Sequence, residues 1–359
     1  ESIDKVILRE GKTLAKYGLE SGPQGYFPLR NFLSNQLKNS AAINCVEREI
    51  LIVSGSLQAL DLVNTTFLRK GDTVIIEEEN YGGTISRLKK IGVNMIGIPL
   101  EKDGMDINYL EKELKKLESE NKKPRYIYTI PTIQNPTGTV MSVEKRRALI
   151  EISKRFGIPI FEDDCYADLL YEKERPPAIK SFDDEGYVIY CGSFSKSIAP
   201  ALRVGYLVAN WDILSRVLPY KTDAGSGSLE QMALAEFCKN EFNDHVTNLR
   251  VELKKKSDVI CNALDKYFGS AANYQKPDGG IFIWVDMPEN VDTSKLYDIA
   301  IKQGVAINPG HEWSVNPSGK HKMRLCYGNP TIQEIDQGVK LLAEICQTEF
   351  GVPKQIANQ

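Results

Sequence analysis

Residues 192–206, GSFSKSIAPALRVGY, follow the apolar run Tyr187-Val188-Ile189-Tyr190 and set Lys196 in a small hydroxyl-rich loop, with Arg203 seven residues downstream. The apolar run reads as a buried strand, so the lysine emerges at a strand's carboxyl end, where open α/β sheets bind ligands. An amine in that place can form a Schiff base if it is partly neutral. A desolvated ammonium near a second cation loses its proton more readily than one in water. Arg203 is available as that cation, and its planar fork also suits a phosphate. The plain alternative is a surface lysine in a serine loop, and the motif alone does not separate the two.

Other polar loops follow other apolar runs in the same way. Ile50-Leu51-Ile52-Val53 leads into Ser54-Gly55-Ser56 and then an amphipathic helix with Leu57, Leu60, Val63 and Phe67 on one face. A glycine turn opening a helix offers free N–H groups and a positive dipole end, a cradle for phosphate, although an ordinary βα connection looks the same. Val74-Ile75-Ile76 runs into Glu77-Glu78-Glu79-Asn80-Tyr81, which puts an aromatic ring near the same sheet edge, and the glutamates read as a solvated edge rather than a metal site. Tyr126 to Ile130 is a β-rich run ending at Pro131, after which Gln134-Asn135-Pro136-Thr137-Gly138 makes a tight turn. Ile158 to Phe161 ends in Glu162-Asp163-Asp164-Cys165-Tyr166. Adjacent acids can hold a metal, but the three histidines, His245, His311 and His321, have no ligand spacing with them, and no metal is expected.

Taken together, in order and spacing, these motifs resemble the class I/II aminotransferases, a family of fold type I pyridoxal-phosphate enzymes. The resemblance runs from Tyr17 to the C-terminal helix and includes Gly279-Gly280-Ile281-Phe282-Ile283-Trp284, Pro309-Gly310 and Met323-Arg324-Leu325. Within the family the pattern is most similar to the branch of 2-aminoadipate and kynurenine aminotransferases and the aminotransferase-like domains of MocR-type regulators.

The resemblance implies roles. Lys196 is the lysine that carries pyridoxal phosphate and then serves as the base for the substrate α-proton. Asp163, rather than Asp164, faces the pyridine nitrogen, because it stands three residues before Tyr166. Tyr166 and Asn135 hydrogen-bond the phenolic oxygen, and Tyr81 stacks on the ring. The backbone at Ser56 and Leu57, the Ser193 hydroxyl and Arg203 hold the phosphate, Arg324 with Asn135 reads the substrate carboxylate, and Tyr17 reaches the partner subunit's cofactor in a homodimer with shared sites. Two departures stand out. Leu57 occupies a position where relatives often carry glutamine, which costs little if the contact is made by backbone N–H. The chain also starts at Glu1 without methionine, already in the helix leading to Tyr17, so an upstream arm that closes over substrate is expected to be missing.

Length and composition fit this reading. At 359 residues and 42% hydrophobic content the chain exceeds a usual single core. Two domains are expected: residues 1–245, a large cofactor-binding domain with an N-terminal dimer-contact segment, and residues 246–359, a small C-terminal domain. The expected fold is α/β, a largely parallel sheet flanked by helices, with a smaller α+β unit from Tyr274 onward that brings Arg324 over the cofactor. Ser142 caps and Gly157 ends a helix, 111–125 reads as a solvated helix end and loop, and Leu229 to Phe268, free of proline, reads as one long connecting helix. A formal net charge of −3 without a basic stripe gives no sign of nucleic-acid binding. Seven scattered cysteines without a CxxC pair suggest reduced thiols in the cytoplasm, and no apolar stretch is long enough to span a bilayer.

The reading is therefore a pyridoxal-phosphate aminotransferase that moves an amino group from an α-amino acid to a 2-oxo acid by a ping-pong route. A lyase on the same cofactor, the effector domain of a MocR-type regulator, and a non-catalytic α/β binding protein are the alternatives.

Overall fold

The computed structural model describes residues 1–14, 22–316 and 319–353. In chain order its first half comprises α1 (Ser2–Leu14), α2 (Phe27–Ala41), β1 (Ile50–Val53), α3 (Ser56–Phe67), β2 (Thr73–Glu77), α4 (Gly82–Ile91), β3 (Asn94–Ile98), the small hairpin β4 (Leu100–Glu101) and β5 (Gly104–Met105), α5 (Ile107–Ser119), β6 (Ile127–Thr129) and α6 (Val143–Phe156). There follow β7 (Ile160–Asp163), β8 (Val188–Ser193), β9 (Gly205–Val208), α7 (Trp211–Val217), α8 (Ser228–Asn240), α9 (Phe242–Tyr267), β10 (Asn273–Tyr274), β11 (Phe282–Asp286), α10 (Thr293–Ala300), β12 (Asn308–Pro309), β13 (Lys322–Cys326) and α11 (Ile332–Phe350).

Strands this apolar persist only where both faces are covered. Seven of them form one sheet in the order β1-β9-β8-β7-β6-β2-β3, with β3, β2, β6, β7 and β8 mutually parallel and β9 antiparallel to both its neighbours. The period-two alternation sends Leu51, Val53, Val74, Ile76, Phe161 and Ile189 to one face, under α3, α4 and α7. It sends Ile50, Ile52, Tyr190 and Val208 to the other face beneath α2 and α8, and Ile75, Ile127, Ile160 and Val188 beneath α5 and α6. This is the expected α/β architecture. A second, antiparallel sheet, β10-β11-β13-β12, packs on α9, α10 and α11 through Val285, Met323, Leu264, Leu296 and Val339.

Local signals hold where they are chemical. Ser142 caps α6, accepting from Lys145 N–H at 3.4 Å, and Gly157 closes it at φ 61°. The stretch 229–268 differs from the expectation: it is two helices, broken at Glu241, where φ reaches −114°. The first helix serves one core and the second serves two. Leu234 and Cys238 of α8 face the large sheet's side, whereas α9 carries Phe242 and Val246 in that core and Ile260 and Leu264 in the C-terminal one. The charged run from Glu111 also does more than edge the surface, since it is helical through Ser119 and buries Leu114 and Leu117 against the sheet. All seven cysteines are free thiols, and among the described residues no helix is long and apolar enough to cross a membrane.

The carboxyl ends of β1 and β8 meet the start of β9 with no room to spare. A Cβ on Gly205 would sit 2.9 Å from Ser56 N, 3.0 Å from Gly192 O and 3.0 Å from Gly55 C, all backbone atoms that cannot swing aside. Gly205→Ala should therefore lower the unfolding free energy by about 1–3 kcal/mol in a denaturant titration; unchanged stability would show that these strand ends part freely.

Candidate active site

A cavity of about 360 Å³ opens at the carboxyl edge of the large sheet, facing the C-terminal sheet. Ten of the residues singled out in the sequence line it: Ser56, Leu57, Tyr81, Asn135, Asp163, Tyr166, Ser193, Lys196, Arg203 and Arg324. The eleventh, Tyr17, lies outside the described residues.

One end of the cavity suits an anion. Helix α3 starts at Ser56 after Gly55, whose φ of 81° is left-handed, and no side chain caps it. Its first N–H groups have no intrahelical partner and sit at the positive end of the helix dipole. Arg203 Nη2 reaches back to the Ser54 carbonyl at 3.4 Å, and a Cβ on Gly55 would collide with that guanidinium. Ser193, at the end of β8, accepts from Ser195 N–H at 3.1 Å and lines the same end.

In the middle of the cavity the run Glu162-Asp163-Asp164 at the end of β7 fans out, as alternation on a strand requires. Glu162 accepts from the Ile179 and Lys180 N–H groups, each at 2.8 Å, and burial pushes its pKa up to about 7. Asp164 turns to Arg175 at 2.6 Å, both side chains buried. Asp163 faces the cavity. Its Oδ2 accepts from the Tyr128 hydroxyl at 2.6 Å, which in turn accepts from Thr84 at 3.1 Å, while its Oδ1 is shielded from water and has no hydrogen-bond partner. Burial raises the Asp163 pKa, and a cationic N–H placed against Oδ1 would oppose that shift. The Lys196 ammonium lies 5.7 Å from the centroid of the Tyr166 ring, which Phe282 braces edge-on at 5.1 Å.

Arg324 reaches the cavity from the other sheet. It stands on β13 opposite Asn308 of β12, whose Oδ1 accepts from Nη2 at 2.9 Å, while Asn135 Oδ1 accepts from Nη1 at 3.0 Å. Trp313 and Phe282 lie 4.1 and 5.2 Å from its guanidinium carbon, and Trp313 also meets Tyr81 at 5.7 Å. The arginine is thus held, with its charge directed into the cavity, between parts of the chain far apart in sequence. Tyr128, Asn308 and Trp313 were not singled out in the sequence; Tyr128 sits inside a run that reads only as a strand, and nothing local marks the other two.

The three glutamates are not a solvated edge. Glu77 is 1% exposed and hydrogen-bonded within the sheet edge, and Glu79 accepts from Trp284 Nε1 at 3.1 Å and pairs with Lys322. A side chain at the carboxyl end of a buried strand stays buried even when charged, provided that donors converge on it.

The sequence profile of aminotransferase class I and II matches residues 11–342. The chain is 32% identical over 95% of its length to the 2-aminoadipate transaminase of Thermus thermophilus, covering 84% of that protein. It is 33% identical over 96% of its length to the HTH-type transcriptional regulator YisV of Bacillus subtilis, covering 70% of it. The solved structure of Pyrococcus horikoshii kynurenine aminotransferase superposes with a TM-score of 0.91 at 33% identity, covering 97% of this chain and 86% of that one. The chain belongs to the class I and II aminotransferases, fold type I enzymes that use pyridoxal phosphate to move an amino group from an amino acid to a 2-oxo acid.

The two neighbouring aspartates should separate in experiment. Asp164→Ala strands a buried guanidinium and should cost about 3–5 kcal/mol of unfolding free energy. Asp163→Ala should cost less stability but reduce turnover by on the order of 4 kcal/mol, about a thousandfold. Denaturant titration and steady-state kinetics on both variants check this; equal damage in both measurements would contradict the division of labour.

Proposed function

We propose that this cavity performs amino transfer with the residues assigned as follows. Asp163, which lines the cavity together with Lys196 and keeps an unpartnered Oδ1, is the observation that carries the reading. It asks for a donor, and the protonated nitrogen of a pyridine ring is one. The anion-suited end beside Ser56, Leu57, Ser193 and Arg203 fits the phosphate of the same molecule. When bound, pyridoxal phosphate supplies an aldehyde that condenses with amines and a ring that accepts electrons from the substrate Cα.

The chain's own groups do the rest. Lys196 would hold the cofactor through its Nζ, and the same Nζ, when free, would be the base for the substrate Cα proton. Asp163 keeps the proton on the ring nitrogen. Tyr166 and Asn135 donate to the phenolic oxygen, and Tyr81 stacks on the ring. Arg324 binds the substrate carboxylate in a two-pronged contact, which fixes the bond that stands perpendicular to the ring. The reaction is ping-pong, because donor and acceptor use the same carboxylate site in turn.

We take residues 1–245 as the large domain and 246–359 as the small one, the protein as a cytoplasmic homodimer without nucleic-acid or membrane partners, and Tyr17 as a residue that reaches the partner's site. A second reading, the effector domain of a transcription regulator, has one specific support, the similarity to a regulator along most of this chain. A cofactor absorbance that responds to amino acids but never cycles with a 2-oxo acid would favour it.

Borohydride treatment of the cofactor-loaded protein followed by peptide mapping should put the cofactor on Lys196, and Lys196→Ala should bind it without the covalent bond; an adduct on any other lysine overturns the assignment. Mixing Lys196→Ala chains with Tyr17→Ala chains should yield one intact site per mixed dimer and activity above either parent. Only the average of the parents after verified exchange would put Tyr17 in its own subunit's service.

A further inference from the structure

Glu77 is absent from the cavity lining, yet three of the cavity's walls converge on its carboxylate. Its Oε2 accepts from Asn80 Nδ2 at 2.8 Å and Gln134 Nε2 at 3.1 Å, and its Oε1 accepts from the Thr129 hydroxyl at 2.5 Å and Ile130 N–H at 3.2 Å. All four side chains in this cluster are buried. Burial raises the Glu77 pKa to about 7 even though the bonds from Thr129, Gln134 and Ile130 act against the rise.

Each donor belongs to a different arm. Asn80 precedes Tyr81, accepts from the Tyr81 N–H at 2.7 Å through its own Oδ1, and donates its backbone N–H to the Trp313 carbonyl at 2.9 Å. Gln134 precedes Asn135 and is locked on its other side, donating to the Glu79 carbonyl at 2.6 Å and accepting from the Thr137 hydroxyl at 2.7 Å. Ile130 lines the cavity itself. Two routes therefore lead from one carboxylate to Arg324: through Asn80 to Trp313, which lies on the guanidinium, and through Gln134 to Asn135, which accepts from it.

We propose that Glu77 is a positioning residue for amino transfer, a buried acceptor that sets Tyr81 and Asn135 in one geometry and through Trp313 and Asn135 aims Arg324 at the substrate carboxylate. The inference rests on the proposed function of the cavity. A carboxylate suits the place because it offers only acceptors, and the groups around it are donors. An amide of the same shape would turn an NH₂ toward at least one of those donors and leave the pair unmatched.

The test is Glu77→Gln, with Gln134→Ala and Asn80→Ala severing the arms singly. Each variant is first loaded with pyridoxal phosphate and mapped after borohydride, so that loss of the Lys196 adduct in the parent protein, which would sink the functional reading, is told apart from failure here. Glu77→Gln should keep the adduct, weaken cofactor binding and shift the bound cofactor's visible absorption. It should also raise KM for the amino acid by about tenfold or more with a smaller change in kcat. Gln134→Ala and Asn80→Ala should each reproduce part of that rise, and combined with Glu77→Gln should add less than their separate effects. A folded Glu77→Gln protein with parental cofactor affinity, absorption and KM overturns the proposal. Should that variant not fold, the single-arm variants decide: raised KM in both supports the assignment, and parental KM in both overturns it.

Discussion

A carboxylate removed from water must be given donors or a cation, and the carboxyl edge of this sheet shields four of them within a short distance of the cavity. Glu77 is engaged by side-chain and backbone donors, Glu162 by two backbone N–H groups, and Asp164 through its Oδ2 by Arg175. Asp163 and Asp164 each keep one shielded oxygen without a hydrogen-bond partner, but Asp164 is paired with the Arg175 guanidinium, whereas Asp163 has no cation beside it and lines the cavity. Of these four carboxylates, Asp163 is the one that lines the cavity, where a ligand can reach it. Tyr128 saturates the other oxygen and so determines which one is left.

The same edge solves a second problem, that of gathering groups from distant segments around a small molecule. The anion-suited end depends on close backbone approach: Gly205 lies against Ser56 and Gly192, and Gly55 leaves space for the Arg203 guanidinium. The opposite end depends on a seam between two sheets. Glu79 joins the β2 edge to Trp284 and Lys322 of the C-terminal sheet, and Asn135 meets Arg324 across the same seam. An arginine delivered from a separate core is held by atoms of both, so its aim depends on how the two cores sit together. Helix α9 runs through both cores and is the covalent element that relates them.

Similarity to aminotransferases and to a regulator alike follows from this construction. On the assignment proposed above, holding a cofactor needs the anion-suited end, Asp163 and Lys196. Turning substrate over needs, in addition, an arginine aimed at a carboxylate and a base free to move. The former rests on backbone geometry within one core, whereas the latter rests on side-chain contacts across the seam, which small changes can loosen without disturbing cofactor retention.

How far the sequence reached follows from the range of the forces involved. Strand alternation, the Ser142 cap and the Gly157 stop are local patterns, and the ten candidate residues implied by the resemblance to a known family stand around one cavity in the structure. Local pattern failed where burial was decided from elsewhere. Glu77-Glu78-Glu79 looked like a wet edge because charge in a sequence says nothing about the donors that other strands will bring. The proline-free run to Phe268 reads as one helix because nothing local marks the break at Glu241, beyond which α9 leaves the first core for the C-terminal one. Asn308, Trp313 and Tyr128 carry no signal of their own, since each matters only through a partner more than ten residues away. The sequence by itself determined the class of fold and the chemistry available at the sheet's edge, because those depend on periodicity and short spacings. Only the tertiary structure decided which buried acid would be paired with a cation and which would line the cavity without one, and how the arginine would be aimed, because both depend on contacts between segments that sequence distance keeps apart.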